Sequence, residues 1–432
     1  MRHIILFIFL LLSLTAASIQ AAPFKYSFSY SPRMNEGISQ LSVIAMCQDT
    51  RGYLWLGTRN GLNRYNGSTY TVYTHQSDDS LSLADNEVLS LSEQGGQYLW
   101  IGTNRGISRF SLTTDSIRNY YEEDGLPDAA ALAVYVDRNR QVWAGTRKGL
   151  ARYSPEKDCF EPVVFAADTL IVSAILEDTT GKFWIGTRLN GAYLCNSKMQ
   201  LIKHFCEEEG TLAGARVKSL YEDAYYRIWV GTGPGGVNRI DPHTHAVTSY
   251  TSRNSGLKND FVRCMAEWNG ELLLGTYDGV YSFNQFDNKI VKVGGYDNGA
   301  ETLGHYSVYS FCLDRTGTLW IGTYGGGISR LSMLSSRFAH HFPGAWNNIR
   351  TGIYGAACHD KDNRLWIATE GYGLLNYDIS TGETHFYLVD SSAYSVYNAN
   401  VIKAVWADED CIWCGTTKGE VWKFNRKTSA FQ

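Results

Sequence analysis

The sequence repeats, with variations, the segment Leu54-Trp55-Leu56-Gly57-Thr58-Arg59-Asn60-Gly61-Leu62. Its Trp-x-Gly-Thr core returns eight more times, with leucine replacing tryptophan once and alanine replacing glycine once, at Trp100, Trp143, Trp184, Trp229, Leu273, Trp320, Trp366 and Trp413. The steps between successive copies are 45, 43, 41, 45, 44, 47, 46 and 47 residues. A nearly constant period of this length, with short β-rich segments, indicates propeller blades rather than helical repeats.

Each repeat has the pattern of one four-stranded antiparallel sheet. In the first repeat, apolar runs and turn residues predict strands at 43–47, 53–58, 62–65 and 70–73. The turns between them are marked by Asp49 and Gly52, by Asn60-Gly61 and by Asn66-Gly67. Because a single sheet cannot bury its own faces, we expect each tryptophan, which buries on the order of 200 Å², to lie between adjacent sheets.

The repeats predict an all-β chain with a closed ring followed by two further blades. Seven copies of the core precede a change of pattern, and the segment 24–30 resembles an outer strand that could complete the last blade of a ring. We therefore assign a seven-bladed β-propeller to 23–335 and two blades of an incomplete second propeller to 336–432, beginning with a strand at 337–342. A nine-bladed ring is the alternative, although propellers usually have four to eight blades. The chain stops inside a predicted outer strand, which would leave an unpaired edge.

The first 22 residues have the character of a secretory signal peptide. A short basic start is followed by an apolar run at 4–14 and by small residues suited to cleavage. A membrane anchor is the alternative, but the run is short for a bilayer span. No later stretch is apolar enough to cross a membrane, so we expect a periplasmic mature chain without a direct membrane span.

Composition and cysteine spacing argue against several classes of function. The chain has 39 basic and 43 acidic residues, a net charge of −4, whereas nucleic-acid-binding proteins are usually basic. Nine cysteines fit poorly with a full disulfide framework. Cys47, Cys312 and Cys358 each lie eight residues before a repeat tryptophan, which indicates core packing. Cys411 and Cys414 lack a second pair at metal-site spacing. We therefore expect no metal, no cofactor and no nucleic-acid partner.

Two phrases resemble a known family. The segments Glu177-Asp178-Thr179-Thr180-Gly181-Lys182-Phe183-Trp184-Ile185-Gly186-Thr187 and Asp314-Arg315-Thr316-Gly317-Thr318-Leu319-Trp320-Ile321-Gly322-Thr323 resemble the two-component regulator propeller repeat. The resemblance implies the extracytoplasmic sensor region of a Bacteroidetes-type hybrid two-component system. In that family, two seven-bladed propellers and a β-sandwich lie outside the cell, and a membrane helix leads to a histidine kinase. Such sensors typically recognise glycan fragments and control genes for their breakdown.

The chain departs from the family plan in ways that limit its predicted function. It shows no second complete propeller, sandwich, later membrane helix or kinase signature. The resemblance therefore implies a truncated sensor that is not an enzyme and carries no phosphotransfer. A homodimer would form through the full-length receptor.

One face of the ring is the predicted ligand site. Alternate connections of a meander fall on opposite edges, so the turn after each Gly-Thr shares a face with the long return loops, and ligand sites of repeat proteins tend to use variable loops. Candidate ligand-binding residues on this face are Arg59, Arg105, Arg147, Lys148, Arg188, Tyr277 and Tyr324. Arginine binds carboxylate and sulfate, and aromatic rings stack on sugars, so we expect an oligosaccharide, including an acidic one. The alternative is a solvated rim of turn residues.

Two other functions stay open from the sequence. A secreted propeller enzyme acting on polysaccharide, a lyase or glycosidase, would need acid and base side chains at the ring axis. No catalytic residue is predicted, because the aspartate that recurs six residues before the tryptophan position belongs to a turn. A protein-interaction scaffold is the third function. Arginines recurring on the third strand, at Arg64, Arg109, Arg152, Arg239 and Arg330, predict ion pairs between blades.

Overall fold

The computed structural model describes residues 26, 28–166, 170–285, 288–294, 303–332, 354–379, 383–389 and 400–432. These residues form nine four-stranded antiparallel sheets. Their helical structure is limited to two 3-10 turns, Pro32–Asn35 and Glu122–Asp124. The predicted all-β fold of four-stranded antiparallel sheets is confirmed. The predicted signal peptide at 1–22 and the predicted strand at 337–342 lie outside the described residues.

The chain divides into two compact units, Met1–Ala339 and His340–Gln432. The strands of the first unit are β1 Phe28–Ser29, β2 Val43–Gln48, β3 Leu54–Thr58, β4 Gly61–Tyr65, β5 Tyr70–Tyr73, β6 Val88–Gln94, β7 Tyr98–Thr103, β8 Gly106–Ser111, β9 Ile117–Tyr120, β10 Ala131–Val136, β11 Val142–Thr146, β12 Gly149–Ser154, β13 Cys159–Val163, β14 Val172–Glu177, β15 Phe183–Thr187, β16 Ala192–Cys195, β17 Leu201–Phe205, β18 Val217–Glu222, β19 Ile228–Thr232, β20 Val237–Ile240, β21 Val247–Tyr250, β22 Val262–Trp268, β23 Glu271–Thr276, β24 Gly279–Asn284, β25 Lys289–Gly294, β26 Val308–Leu313, β27 Leu319–Thr323 and β28 Ile328–Leu331. Those of the second unit are β29 Tyr354–His359, β30 Arg364–Thr369, β31 Leu374–Asp378, β32 Thr384–Tyr387, β33 Ile402–Ala407, β34 Cys411–Thr416, β35 Val421–Asn425 and β36 Ala430–Phe431.

The seventh sheet takes its outermost strand from the other end of the unit. Every other sheet is ordered along the chain from an inner to an outer strand, but here the order is β26-β27-β28-β1. Phe28 pairs with Leu331, and Ser29 pairs with Arg330. The inner strands of successive sheets contact one another from β2 to β26, and β26 also contacts β2. The contacts of the first unit therefore run through seven sheets and return to the first.

The repeat tryptophans from Trp55 to Trp366 lie between adjacent sheets, as predicted, whereas Trp413 of the last sheet is half-buried. The ring of Trp55 meets Phe110 of the second sheet edge-on, with ring centroids 5.0 Å apart. The ring centroids of Trp320 in the seventh sheet and Tyr65 in the first lie 6.0 Å apart. The seventh and first sheets are therefore joined by the same kind of aromatic contact. In the second unit, Trp366 contacts Phe424 of the following sheet at 5.4 Å. These aromatic contacts bury the faces that a single sheet would leave exposed.

The glycine two residues after the tryptophan allows the next sheet to approach closely. A Cβ atom on Gly57 would lie 2.5 Å from Cγ1 of Val88, the first residue of the next inner strand. A Cβ on Gly186 would lie 2.5 Å from Cγ1 of Val217 in the same way. A Cβ at that distance would displace the valine side chain, so glycine is favoured where these sheets converge, and Ala368 occupies the position in the eighth repeat.

In six of the nine sheets, an aspartate in the turn before the second strand is hydrogen-bonded to the tryptophan of that strand. In six sheets an aspartate accepts a hydrogen bond from the indole Nε1, with N···O distances of 2.7–3.0 Å, at Asp49, Asp137, Asp178, Asp223, Asp314 and Asp360. The second oxygen accepts backbone N–H groups two and four residues later, as Asp178 does from Thr180 and Lys182 at 2.8 and 3.1 Å. The predicted turn role of this aspartate is confirmed.

Three sheets depart from the aspartate–tryptophan pattern. In the ninth, Ala407 occupies the position six residues before Trp413. In the second sheet, Oε1 of Gln94 accepts the hydrogen bond from Trp100 at 2.9 Å. In the sixth, leucine occupies the tryptophan position, and the indole of Trp268 on the inner strand donates to the carbonyl oxygen of Gly317 at 2.9 Å. Trp268 and Leu273 share one apolar cluster with residues of the seventh sheet. The space between these sheets is thus filled from a different strand.

The arginines of the third strands pair between sheets in only some positions. Arg64 pairs with Asp115 at 3.2 Å, and Arg109 pairs with Asp158 at 3.1 Å, each in the next sheet. Arg152 instead pairs with Glu161 of its own sheet at 3.2 Å, because that carboxylate lies opposite it on the neighbouring strand. Arg239 donates a hydrogen bond to Asn288 at 3.0 Å rather than forming an ion pair. The prediction of interblade ion pairs is therefore wrong for these last two arginines.

The cysteines show no disulfide, and all nine are free. Cys195, Cys206, Cys411 and Cys414 are buried, while Cys47 and Cys312 are half-buried against apolar clusters. Burial raises the pKa of Cys195 to about 11 and that of Cys414 to about 12. Such thiols pack as small apolar side chains. The described residues contain no group of three or more His, Cys, Asp or Glu arranged to hold a metal ion.

Removing one turn carboxylate should destabilise the first unit. In Asp178→Ala the buried Nε1 of Trp184 and two backbone N–H groups lose their acceptor, which should lower the free energy of unfolding by about 3 kcal/mol. Chemical denaturation followed by tryptophan fluorescence measures the change. The control is Asp78→Ala, at an exposed loop aspartate, which should change the free energy of unfolding by less than about 0.5 kcal/mol. Equal effects of the two substitutions would contradict the role of Asp178.

Acid should weaken the fold through the turn carboxylate of Asp314. Burial raises the pKa of Asp314, but hydrogen bonds from Thr316, Trp320 and Thr318 outweigh it, so the pKa lies below its ordinary value. A carboxyl whose pKa is depressed in the folded state stabilises the fold above its unfolded pKa, and the contribution is lost as the pH falls through the folded pKa. We expect the thermal midpoint to fall as the pH drops below about 4. The fall should be smaller in Asp314→Asn, and identical pH profiles would contradict this account.

Candidate functional site

The structure places all seven predicted site residues at equivalent turns of the first unit. They follow the second strand of their sheets, at Arg59, Arg105, Arg147, Lys148, Arg188, Tyr277 and Tyr324. Because every sheet is antiparallel and ordered along the chain, these turns lie at the same end of the sheets as the long return loops. We call this end the Gly-Thr face, and the end with the aspartate turns the Asp face.

Three of the seven residues are held by neighbouring loops. The Nε atom of Arg59 lies 4.0 Å from Oε1 of Glu87, and its guanidinium carbon lies 5.9 Å from the ring of Tyr324. Arg147 donates a hydrogen bond to Oδ1 of Asn104 at 2.8 Å. Lys148 forms an ion pair with Asp128 at 3.3 Å. Lys148 in particular is satisfied without a ligand, as expected for a rim residue.

Arg105 lies apart from the other cations of the face. It lines a separate cleft of about 340 Å³ together with Tyr121, Glu122 and Glu123. Burial raises the pKa of the Tyr121 hydroxyl, and Glu123 raises it further, while Arg105 acts in the opposite direction. The two glutamates balance the charge of Arg105, so this cleft has no excess of positive charge.

Tyr277 and Tyr324 belong to a connected set of rings, the aromatic group, which comprises Tyr277, His305, Tyr306, Tyr309 and Tyr324. Ring centroids lie 6.2 Å apart for Tyr277 and Tyr306, 4.1 Å for His305 and Tyr306, and 5.8 Å for both His305–Tyr324 and Tyr309–Tyr324. Tyr277, Tyr306 and Tyr324 are 46%, 41% and 44% exposed, so the group presents flat apolar surface to solvent. Sequence analysis found two of its five members.

A β-bulge on each inner strand of the seven sheets supplies residues that sequence analysis missed. The pairing register shifts by one residue after the first residue of the strand, which leaves the next residue unpaired. A bulge redirects the side chain of its extra residue. In chain order this bulge position holds Ile44, Leu89, Leu132, Ser173, Lys218, Arg263 and Tyr309. The first three are apolar and the last four are polar, so the ring is chemically asymmetric at this level.

Two bulge residues join the turn arginines in a cationic cluster, which comprises Arg147, Arg188, Arg216, Lys218 and Arg263. Burial lowers the pKa of Arg188, and Arg147 and Arg216 lower it further. Burial also lowers the pKa of Lys218, with further lowering by Arg188, Arg216 and Arg263. Among the described residues, no carboxylate lies within ion-pair distance of any member of the cluster. The cluster therefore carries an unbalanced positive charge.

The cluster and the aromatic group meet at one residue. The guanidinium carbon of Arg263 lies 4.2 Å from the ring centroid of Tyr309 and 5.0 Å from that of Tyr277. Arg263 also donates a hydrogen bond to the hydroxyl of Ser307 at 2.7 Å. The Gly-Thr face thus has a cationic part on the third to sixth sheets and an adjoining aromatic part on the sixth and seventh.

Comparison with known proteins confirms the repeat recognised in the sequence. Residues 37–60 and 302–325 match the two-component regulator propeller family. These two segments are therefore similar to two-component regulator propeller repeats, and the four-stranded antiparallel sheets agree with a β-propeller fold.

Three of the similar proteins have names that refer to bacterial signalling. The extracellular domain of a protein from B. thetaiotaomicron, named as a hybrid two-component system, is 21% identical with a TM-score of 0.66, over 94% of this chain and 54% of that one. A second such domain from the same organism is 19% identical with a TM-score of 0.58, over 94% of this chain and 59% of that one. Histidine kinase P4 from Formosa agariphila is 28% identical over 99% of this chain and 32% of its own length. The chain thus spans about a third of that curated relative.

The helical segments in the described parts of the chain are too short and too polar to cross a lipid bilayer.

Removing one charge from the cationic cluster should stabilise the free protein. In Lys218→Met a half-buried ammonium group that is repelled by Arg188, Arg216 and Arg263 becomes an apolar side chain of similar length, so the thermal midpoint should rise in low salt. The gain should shrink as salt screens the repulsion. Lys198→Met, at an exposed lysine in the β16–β17 hairpin, is the matched control. A lower midpoint for Lys218→Met, or a gain that is independent of salt, would contradict the like-charge arrangement.

Proposed function

We propose that this chain is a periplasmic ligand-sensing module of a hybrid two-component system and that it recognises oligosaccharides to regulate glycan-utilisation genes. The repeat family and the similarity to extracellular domains named as parts of hybrid two-component systems support a sensor. The similarity to a histidine kinase over 32% of its length supports a kinase region outside this chain. Binding on the Gly-Thr face would be the input, and phosphotransfer would be carried by that other region.

The aromatic group is the observation that carries the oligosaccharide proposal. Pyranose rings have apolar C–H faces that pack against flat aromatic side chains, while their hydroxyl groups need polar partners nearby. Three exposed tyrosines, with Arg263 and Arg59 within 6 Å of two of these rings, combine both kinds of surface. A solvated rim of turn residues would not require five aromatic rings linked by a chain of contacts. Few apolar surfaces with converging polar groups occur on a protein, and they tend to be binding sites.

The proposed module has a definite extent along the chain. We assign a signal peptide to 1–22, a seven-bladed propeller to 23–335, and two blades of a second propeller to 336–432. The division of the chain between Ala339 and His340 supports the last boundary to within a few residues. A homodimer would form through the full-length receptor.

Binding without turnover is the expected behaviour. The recurring aspartates lie on the Asp face and accept hydrogen bonds through both carboxylate oxygens, so they are committed to the turns. On the Gly-Thr face, Asp260 accepts hydrogen bonds from the backbone N–H and the hydroxyl of Ser252 at 2.6 and 2.8 Å. These carboxylates serve structure rather than general acid or base catalysis.

The aromatic group should be required for oligosaccharide binding. Purified chain titrated by calorimetry with a panel of neutral and acidic oligosaccharides of two to eight sugars should bind at least one saturably and leave it uncleaved. In Tyr277→Ala/Tyr324→Ala the affinity should fall at least tenfold, about 1.4 kcal/mol, because two stacking surfaces are removed.

The matched control is Tyr225→Ala/Tyr226→Ala. These tyrosines are 55% and 58% exposed and lie in the aspartate turn of the fifth sheet, on the Asp face. Their loss should leave the affinity unchanged. Cleavage of the oligosaccharide would favour the propeller enzyme instead, and equal effects of the two double variants would reject the aromatic site.

A further inference from the structure

A cleft on the Gly-Thr face opens between the fourth and fifth sheets and has a volume of about 500 Å³. Its walls are the turn that holds Arg188, the return loop that holds Arg216, and the loop that holds Arg253 and Asp260. Each of the three arginines comes from a different connection. The cleft is therefore bounded by guanidinium groups on several sides rather than by one flexible side chain.

The acidic residues of the cleft are already engaged. Oε2 of Glu207 accepts the backbone N–H of Ala215 at 3.0 Å. Both oxygens of Asp260 accept hydrogen bonds from Ser252. Neither carboxylate lies within ion-pair distance of a cleft arginine in the described structure. The donors of the arginines are thus left for another acceptor.

One of those donors is buried. The Nε atom of Arg188 is inaccessible to solvent and has no hydrogen-bond partner among the described residues. A buried polar atom without a partner is costly, so such an atom in a folded protein calls for an explanation. Arg188 also lies in the field of Arg147 and Arg216, which adds like-charge repulsion to the cost. An anion bound in the cleft would relieve the repulsion.

Elsewhere in the first unit, several cationic side chains form ion pairs. Arg64, Arg109 and Lys148 all have carboxylate partners within 3.3 Å. The overall charge is −4, so acidic residues are not scarce. In the cationic cluster, by contrast, several cations lie close enough to lower one another's pKa, and no carboxylate of the described residues lies within ion-pair distance of them. Local violations of this kind are expected at binding sites.

We infer that this cleft is a subsite for one anionic group, a carboxylate or a sulfate, on the oligosaccharide. This inference rests on the proposed function, since it takes the ligand to be a saccharide. Arg188 and Arg216 provide forked N–H donors that match the planar oxygens of such a group. Lys218, at the bulge next to Arg216, adds a point charge, and Arg263 continues the positive surface to the aromatic group, where the adjoining sugars stack. The ligand class is therefore an acidic oligosaccharide.

The first test uses sodium sulfate alone as the probe. At matched ionic strength, sodium sulfate should raise the thermal midpoint of the whole chain more than sodium chloride does. The increment should shrink in Arg216→Gln/Lys218→Gln, which removes two cluster charges and leaves only the general stabilising effect of sulfate. It should persist in Arg138→Gln/Lys198→Gln, which removes the same charge from turns on the Asp face. The cluster variant should remain folded, because it relieves repulsion and removes no ion pair. No specific sulfate effect in the wild-type protein would overturn the subsite.

The second test distinguishes the chemistry of the ligand. Calorimetry compares cellotetraose as the neutral probe, tetragalacturonate as the carboxylate probe and a chondroitin sulfate tetrasaccharide as the sulfated probe. At least one acidic probe should bind tenfold or more tightly than the neutral one, and the cluster variant should lose that advantage while the Asp-face variant keeps it. The stronger of the two acidic probes identifies the anion.

Three outcomes would count against the subsite. Equal binding of neutral and acidic probes, unchanged in the cluster variant, overturns it but leaves the proposed function standing. Sulfate stabilisation with no saccharide bound by any variant indicates an adventitious ion only, and it rejects the saccharide ligand together with the proposed function. Binding of a poly-glutamate peptide as tight as that of the best saccharide would overturn the assignment of ligand class.

Discussion

The hydrogen bond between a buried carboxylate and a tryptophan indole is the interaction on which the rest of this structure depends. A buried aspartate is unfavourable unless its oxygens are satisfied, and the turn satisfies them with one indole N–H and two backbone N–H groups. The same three bonds fix the turn and orient the indole toward the next sheet. Repetition of this aspartate–tryptophan pair builds the ring of sheets, and the glycine two residues after the tryptophan allows the sheets to converge.

This arrangement concentrates the structural polar groups on one end of the sheets. The aspartate turns occupy the Asp face, where their sequence is constrained by hydrogen bonding. The turns on the Gly-Thr face are closed by a simpler bond, from the threonine hydroxyl to the carbonyl oxygen of a turn glycine, as in Thr58 and Gly61 at 2.9 Å. The residues between these two are free to vary. A scaffold that is constrained at the Asp face and variable at the Gly-Thr face is suited to recognition. The uneven distribution of charge and aromatic surface on the Gly-Thr face is therefore relevant to function.

Much of the fold could be predicted from the sequence because its determinants are local and periodic. The spacing of the tryptophans, the Asp-x-x-Gly turn and the alternation of strands all lie within one repeat, and the structure confirms them. What could not be predicted depends on contacts between repeats. Gln94 replaces aspartate as the acceptor for Trp100 at the same position, six residues before the tryptophan, so only the residue type departs from the pattern. Trp268 fills the space that Leu273 leaves from the inner strand, where the repeat pattern places no tryptophan.

The site was harder to predict for the same reason. Sequence analysis selected turn residues, and some of these, such as Lys148, already have partners. Lys218, Arg263 and Tyr309 were missed because they lie on strands whose pattern predicts burial, and only the register shift shows that they are unpaired bulge residues. Comparison of the seven repeats at the position after the first inner-strand valine or alanine would have shown a change from apolar to polar residues. The residue type at this position of each repeat is the sequence signal for the site.

We infer that the Gly-Thr face is the recognition surface, and that the hydrogen bonds of the Asp face stabilise the ring of sheets. A crystal structure of the chain with a bound acidic tetrasaccharide tests this claim most directly. We expect sugar rings against Tyr277 and Tyr324, and the anionic group within hydrogen-bond distance of the guanidinium groups of Arg188 and Arg216. A saccharide bound at the aspartate turns, or sheets in which the indoles no longer donate to those carboxylates, would contradict it.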